Sequence, residues 1–81
     1  MDLIKLTEEI IKSIAKDSES ISVKEFDTDE EDFVLIEVMV AEEDMPRIIG
    51  KEGKVANSIR TVVQASARLQ NKKVKINIDS F

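Results

Sequence analysis

Apolar residues recur three or four positions apart at the start of the chain and at every second position further on. Leu3, Leu6, Ile10 and Ile14 follow the first spacing, and Ile11 widens their stripe. Residues 2–16 are therefore predicted to form a helix. Asp17, Ser18 and Ser20 are turn formers that end it. Ile21 and Val23 alternate with Ser22 and Lys24, the pattern of a short half-buried strand. The acidic run at 27–32 has no apolar face and reads as a hairpin connection. Residues 33–40 form the next strand, with Val34, Ile36, Val38 and Val40 on one face.

Asp44 is a good helix N-cap, and Pro46 fits a first turn. That helix is brief, because Gly50 and Gly53 follow at once. A longer helix is predicted over 54–70. Val55, Ile59, Val62, Ser66 and Leu69 share one face of it, and Asn71 is its stop. Val74, Ile76 and Ile78 then alternate with Lys75 and Asn77 as a final strand. The order α-β-β-α-α-β predicts an α+β fold, a three-stranded sheet with helices packed on one face.

Composition narrows this picture. The 81 residues make one domain, 1–81, with a single modest core. At 42% hydrophobic and 36% charged, the chain reads as globular. Its only aromatic residues are Phe26, Phe33 and Phe81, so the core must be aliphatic, and nucleic-acid binding by stacked aromatics is disfavoured. There is no Cys and no His, which removes thiolate metal sites and the commonest general base. The longest near-apolar run, residues 33–41, is interrupted by Glu37 and is far too short to span a bilayer. With no leader-like segment, a cytoplasmic protein without membrane partner, cofactor or small-molecule substrate is expected.

Net charge is −5, which taken alone opposes nucleic acid. Its distribution points the other way. Residues 1–46 carry 4 basic and 15 acidic side chains, whereas residues 47–81 carry 8 basic and 2 acidic. Such asymmetry suggests a local anion-binding surface on an acidic protein. The competing reading is that the acidic and basic elements pair with each other.

The only two glycines, Gly50 and Gly53, lie between the two predicted helices. Glycine there permits positive φ and close approach to bare backbone. Amides at the start of the long helix, around Gly53, Lys54 and Val55, would lack intrahelical partners and face an anion with the helix dipole behind them. Lys51, Lys54 and, one turn upstream, Arg47 add positive charge. A Gly-x-x-Gly pair alone is a weak motif and could be a simple tight turn.

The wider segment is more specific. Arg47, Ile48, Ile49, Gly50, Lys51, Glu52, Gly53, Lys54 and Val55, continuing through Ile59 and Arg60, resemble the K-homology (KH) signature. That signature has two aliphatics, Gly-x-x-Gly, and an aliphatic six residues later. The element order resembles the type II, bacterial form of the domain. The length, the segment 53–63 and the ending 73–79 resemble the small bacterial single-KH family called KhpA (YlqC-like). The resemblance implies a type II KH domain with a mixed sheet, single-stranded RNA held beside a loop that clamps four backbone nucleotides, and RNA-chaperone or post-transcriptional regulatory activity. It also implies homodimers, or heterodimers with a KH protein of the KhpB (Jag/EloR) type, and effects on cell elongation and peptidoglycan homeostasis. Carried over by position, Gly50 and Gly53 shape the loop, Lys51 and Lys54 meet phosphates, and Ile48 and Ile49 belong to the core and groove floor. Glu52 departs from a basic loop, cancels Lys51 and weakens binding.

Other readings remain open. The apolar arc of the long helix spans about 160°, wider than the ~100° that one sheet needs. Val62, Ser66 and Leu69 on it could form a dimer surface, or the helix could simply pack on both sheet and first helix. Lys72, Lys73 and Lys75 could extend an RNA path or protect a strand edge. The acidic hairpin lacks the glycine of an EF-hand loop, so no metal site is expected. Glu42 and Glu43 are the nearest thing to an acid-base pair, and without a His, a Cys or a recognisable pocket an enzyme is not expected. The main alternative to RNA binding is a protein-protein interaction module with little RNA affinity.

Overall fold

The computed structural model describes residues 2–81. Its elements follow the predicted order: α1 (Leu3–Ile14), β1 (Ile21–Asp27), β2 (Phe33–Val40), α2 (Met45–Ile49), α3 (Lys54–Leu69) and β3 (Lys73–Ser80). Two 3-10 turns, Glu42–Asp44 and Lys51–Gly53, lead into α2 and α3. The sheet order is β1-β2-β3. β1 pairs antiparallel with β2, and β2 pairs parallel with β3. A parallel neighbour needs a crossover, and α2 with α3 supplies it.

Strand alternation sets the core. Val34, Ile36, Val38 and Val40 of β2 and Val74 and Ile76 of β3 are buried beneath the helices. Leu3 and Ile11 of α1, Ile48 of α2, and Ile59, Val63 and Ala67 of α3 complete the cluster. As expected, its fully buried members are aliphatic. Register puts Phe26 opposite Leu35 and Phe33 opposite Lys73, on the face away from the helices. Phe81 joins Phe26 and Met39 in a shallow groove there.

Two expectations shift. The first helix stops at Ile14, short of residue 16, and Ala15 is already extended (φ −67°, ψ 141°). Its most buried line is Leu3, Thr7 and Ile11, with Leu6, Ile10 and Ile14 at the margin. Thr7 escapes hydropathy reading because its hydroxyl donates to the Leu3 carbonyl at 2.7 Å, which lets it sit in the core. Asp44, expected to cap α2, makes no side-chain cap bond there. Its buried carboxylate instead accepts the backbone N–H groups of Lys16 and Asp17, both at 2.9 Å. This long-range tie accounts for the early end of α1, since it satisfies amides past the last helical turn.

Candidate nucleic-acid interface

The loop between α2 and α3 is built on backbone conformations that most residues avoid. The Gly50 N–H donates to the Pro46 carbonyl at 2.9 Å and closes α2. Gly50 itself has φ 76° and ψ 176°, a region essentially restricted to glycine. A Cβ there would strike the Val55 side chain, with Val55 Cβ at 2.8 Å and the Val55 amide nitrogen at 2.9 Å. Gly53 is left-handed (φ 76°, ψ 12°), but a Cβ on it would meet nothing nearer than Asn57 Nδ2 at 4.0 Å. Gly50 is therefore required for space and conformation, Gly53 for conformation alone. Between them Glu52 is left-handed too (φ 58°, ψ 24°), which is uncommon for a non-glycine residue.

The structure distributes the predicted residues by depth. Arg47, Lys51, Glu52 and Lys54 are exposed around the loop, and Gly50, Gly53, Ile49 and Val55 are half-buried beneath them. Ile48 is completely buried, so its part is to anchor α2 to the core and not to touch a ligand. Of the amides expected to be free, those of Gly53 and Lys54 are not. The Gly53 N–H donates to the Gly50 carbonyl at 3.2 Å and the Lys54 N–H to the Lys51 carbonyl, both within the 3-10 turn. The amides that lead this turn, and have no partner within it, are those of Lys51 and Glu52. Lys51 thus carries both an exposed ammonium group and an amide without a partner in the turn, one position before the acidic side chain.

Among the described residues the one ion pair is Glu8–Lys12 at 3.8 Å, an exposed pair within α1. No ion pair joins the acidic and basic halves among the described residues, which leaves Lys51 and Lys54 available to an anion, while Arg47 lies within electrostatic reach of Asp44. Asp44 lies just upstream of Arg47. The two backbone donors, from Asp17 and then Lys16, hold its carboxyl below the usual value of 3.8; burial opposes them, and the charges of Arg47 and Lys16 assist.

Sequence reading gave Arg60 no role. Its Nε–H donates to the Ile76 carbonyl on the outer edge of β3, and an Nη1–H donates to Asn57 Oδ1, both at 3.3 Å. Asn57 and Arg60 are three apart on a helix, a spacing that puts them on one face and was visible in the sequence. That this face looks at β3 was not visible. Arg60 thereby marks a seam between α3 and the free edge of the sheet, running from the glycine loop. On the outer side of α3, Val62 is 49% and Leu69 88% exposed, and Ser66 is half-buried. Packing on the sheet and on α1 does not use up the broad apolar arc.

Comparison with known proteins is consistent with this geometry. The family model for the KH domain of KhpA/KhpB matches residues 4–78. The chain is 42% identical over 73 residues to the RNA-binding protein KhpA of Clostridium perfringens, covering 90% of this chain and 95% of that protein. It is 38% identical to the RNA-binding protein KhpA of Clostridium acetobutylicum, with the same coverage. Among solved structures it superposes on Era in complex with MgGDPNP and nucleotides 1506–1542 of 16S ribosomal RNA, at a TM-score of 0.68 and 22% identity. Aquifex aeolicus Era bound to GDP and aluminium fluoride gives a TM-score of 0.64, also at 22% identity. The matches cover 96% and 100% of this chain but 29% and 32% of the Era chains, so the likeness is one of fold, to one part of a larger protein.

Proposed function

The chain belongs to the KhpA/KhpB KH-domain family, and from that premise we propose that it binds single-stranded RNA at the loop formed by residues 47–55. The observation that carries the reading is the exposed positive rim, Arg47, Lys51 and Lys54, around a glycine turn whose leading amides, those of Lys51 and Glu52, have no partner within the turn. A phosphate placed there meets the Lys51 and Glu52 amides and the Lys51 and Lys54 ammonium groups. Ile49 and Val55 lie half-buried beneath and offer an apolar floor to a base. Such a site binds and carries out no bond chemistry.

The test replaces Lys51 and Glu52 by Asp and leaves both glycines in place. Asp tolerates left-handed backbone at least as well as Glu, so the turn is kept. Filter binding of single-stranded RNA at a stated salt near ~100 mM is expected to weaken at least about tenfold, because a phosphate contact becomes a repulsion. Undiminished retention contradicts the loop reading.

A second reading is favoured by the exposed Val62 and Leu69. In it α3 pairs with a second copy, or with the equivalent helix of a KhpB-type KH protein, and RNA binding is secondary or shared. The two readings are compatible, since Val62 and Leu69 lie on the outer face of α3 and Arg60 on the face toward β3. RNA-chaperone activity, post-transcriptional regulation and an effect on cell elongation and peptidoglycan homeostasis belong to this proposal through the family resemblance alone.

A further inference from the structure

The seam that begins at the glycine loop does not end at Arg60. Residues 60, 64 and 68 follow at i, i+4 and i+8, one line along α3. The Arg60 bond to the Ile76 carbonyl shows that this line looks at the edge of β3. At its far end Gln64 and Arg68 of α3 meet Lys72, Lys73 and Val74 around a cavity of about 290 Å3. That is many times the ~30 Å3 share of one water, so a hydrated phosphate fits. All three charged residues lining the cavity are cations, and none of them is in the one ion pair among the described residues. The nearest acidic residue by hydrogen bonding is Asp32, whose main-chain carbonyl accepts the Lys73 N–H at 2.8 Å; its carboxylate is not part of the lining. The cations gather where α3 ends, and the negative end of the helix dipole favours them there but opposes an anion, so a phosphate at this place is held by the side-chain charges and not by the helix. Lys75, one strand repeat further, does not line the cavity.

We propose that Arg68, Lys72 and Lys73 form a second phosphate site, which holds the backbone of a single-stranded RNA after it has left the glycine loop and run along the α3–β3 seam. This deepens the RNA reading above and rests on it. From Gly53 to Arg68 the helix rises about 22 Å. A Gly-x-x-Gly loop clamps about four nucleotides, so the distal site engages only a longer strand. The consequence is a length threshold in affinity that the loop alone does not produce.

Four proteins test it: the unmodified chain, the loop variant Lys51→Asp/Glu52→Asp, the distal variant Arg68→Ala/Lys72→Ala, and the charge-keeping variant Arg68→Lys. Both distal positions are exposed, and thermal melting checks that the fold is kept. Each is titrated, at several salt concentrations, with labelled single-stranded RNA pools of about four and about ten nucleotides. The distal variant is expected to bind the short pool as the unmodified chain does and the long pool roughly tenfold more weakly. Its salt slope should be shallower by about 1.4, the value for two lost single-strand phosphate contacts. Arg68→Lys, which keeps the charge, should retain long-pool binding. If the distal variant binds both pools unchanged, or loses both equally, the second site is wrong while the loop reading stands. If the loop variant keeps its affinity while the distal variant loses the long pool, the loop reading fails and so does the path from loop to distal site, and the distal cations bind RNA on their own. No binding of either pool by the unmodified chain contradicts both.

Discussion

At the scale of single residues, the two glycines look equivalent in the sequence and are not. Gly50 lacks room for a Cβ as well as needing its φ, whereas Gly53 needs only its φ. Gly53→Ala should therefore cost about 1–2 kcal/mol, the ordinary penalty of a left-handed residue. Gly50→Ala adds an overlap with Val55 and should cost about 2–4 kcal/mol. Urea unfolding of the two variants checks the order, and equal losses would contradict it. Glu52 shares the left-handed geometry without the freedom of glycine, so the loop holds some strain beside the proposed anion site. The sequence identified these positions but not their inequality, because Val55, the residue that fills the space over Gly50, is placed by the start of α3.

At the scale of elements, the boundaries depend on contacts between segments distant in the chain. Strand alternation and the stripe of α3 were legible, since each is a periodicity of the residues themselves. The end of α1 was not, because it is set by Asp44, twenty-seven positions beyond Asp17. Nor was the burial of Thr7, which a local hydroxyl bond makes possible. The Asp44 tie has a pH signature. Its folded pKa is depressed below 3.8, so its stabilisation is complete above that value and is lost as pH falls through the lower folded one. Asp44→Asn keeps one acceptor but faces two amide donors, so the variant should be less stable than the parent near neutral pH. Urea midpoints measured from neutral pH down past 3.8 should converge. A constant gap across that range would mean that the carboxylate charge contributes nothing.

At the scale of the whole molecule, the charge asymmetry read from the sequence is only partly a separation in space: Arg47 borders a pocket with Asp17, Glu43 and Asp44, and Lys73 bonds through its main chain to Asp32 at the end of the acidic run. An acidic surface and a basic loop coexist without ion pairs between them among the described residues. RNA affinity should therefore fall steeply with salt, since screening weakens the local attraction. No helix among the described residues is long and apolar enough to cross a membrane. The outer face of α3 is where association with another KH domain is expected. Val62→Lys places a charge at a half-exposed position, with an effect on monomer stability within about 0.5 kcal/mol. Under the proposed association through α3, mass in solution should drop from dimer to monomer with the helical signal intact; unchanged mass and fold would exclude α3 as the contact.

The central claim is that the turn between Gly50 and Gly53 grips the strand, and backbone amides report on it directly. In an NMR titration of the isotope-labelled protein with single-stranded RNA, the largest shifts should fall on residues 47–55, with Lys51 and Glu52 foremost and Arg60 following along the seam. Shifts confined to the outer face of α3 or to the acidic hairpin, with the glycine loop undisturbed, would contradict the account.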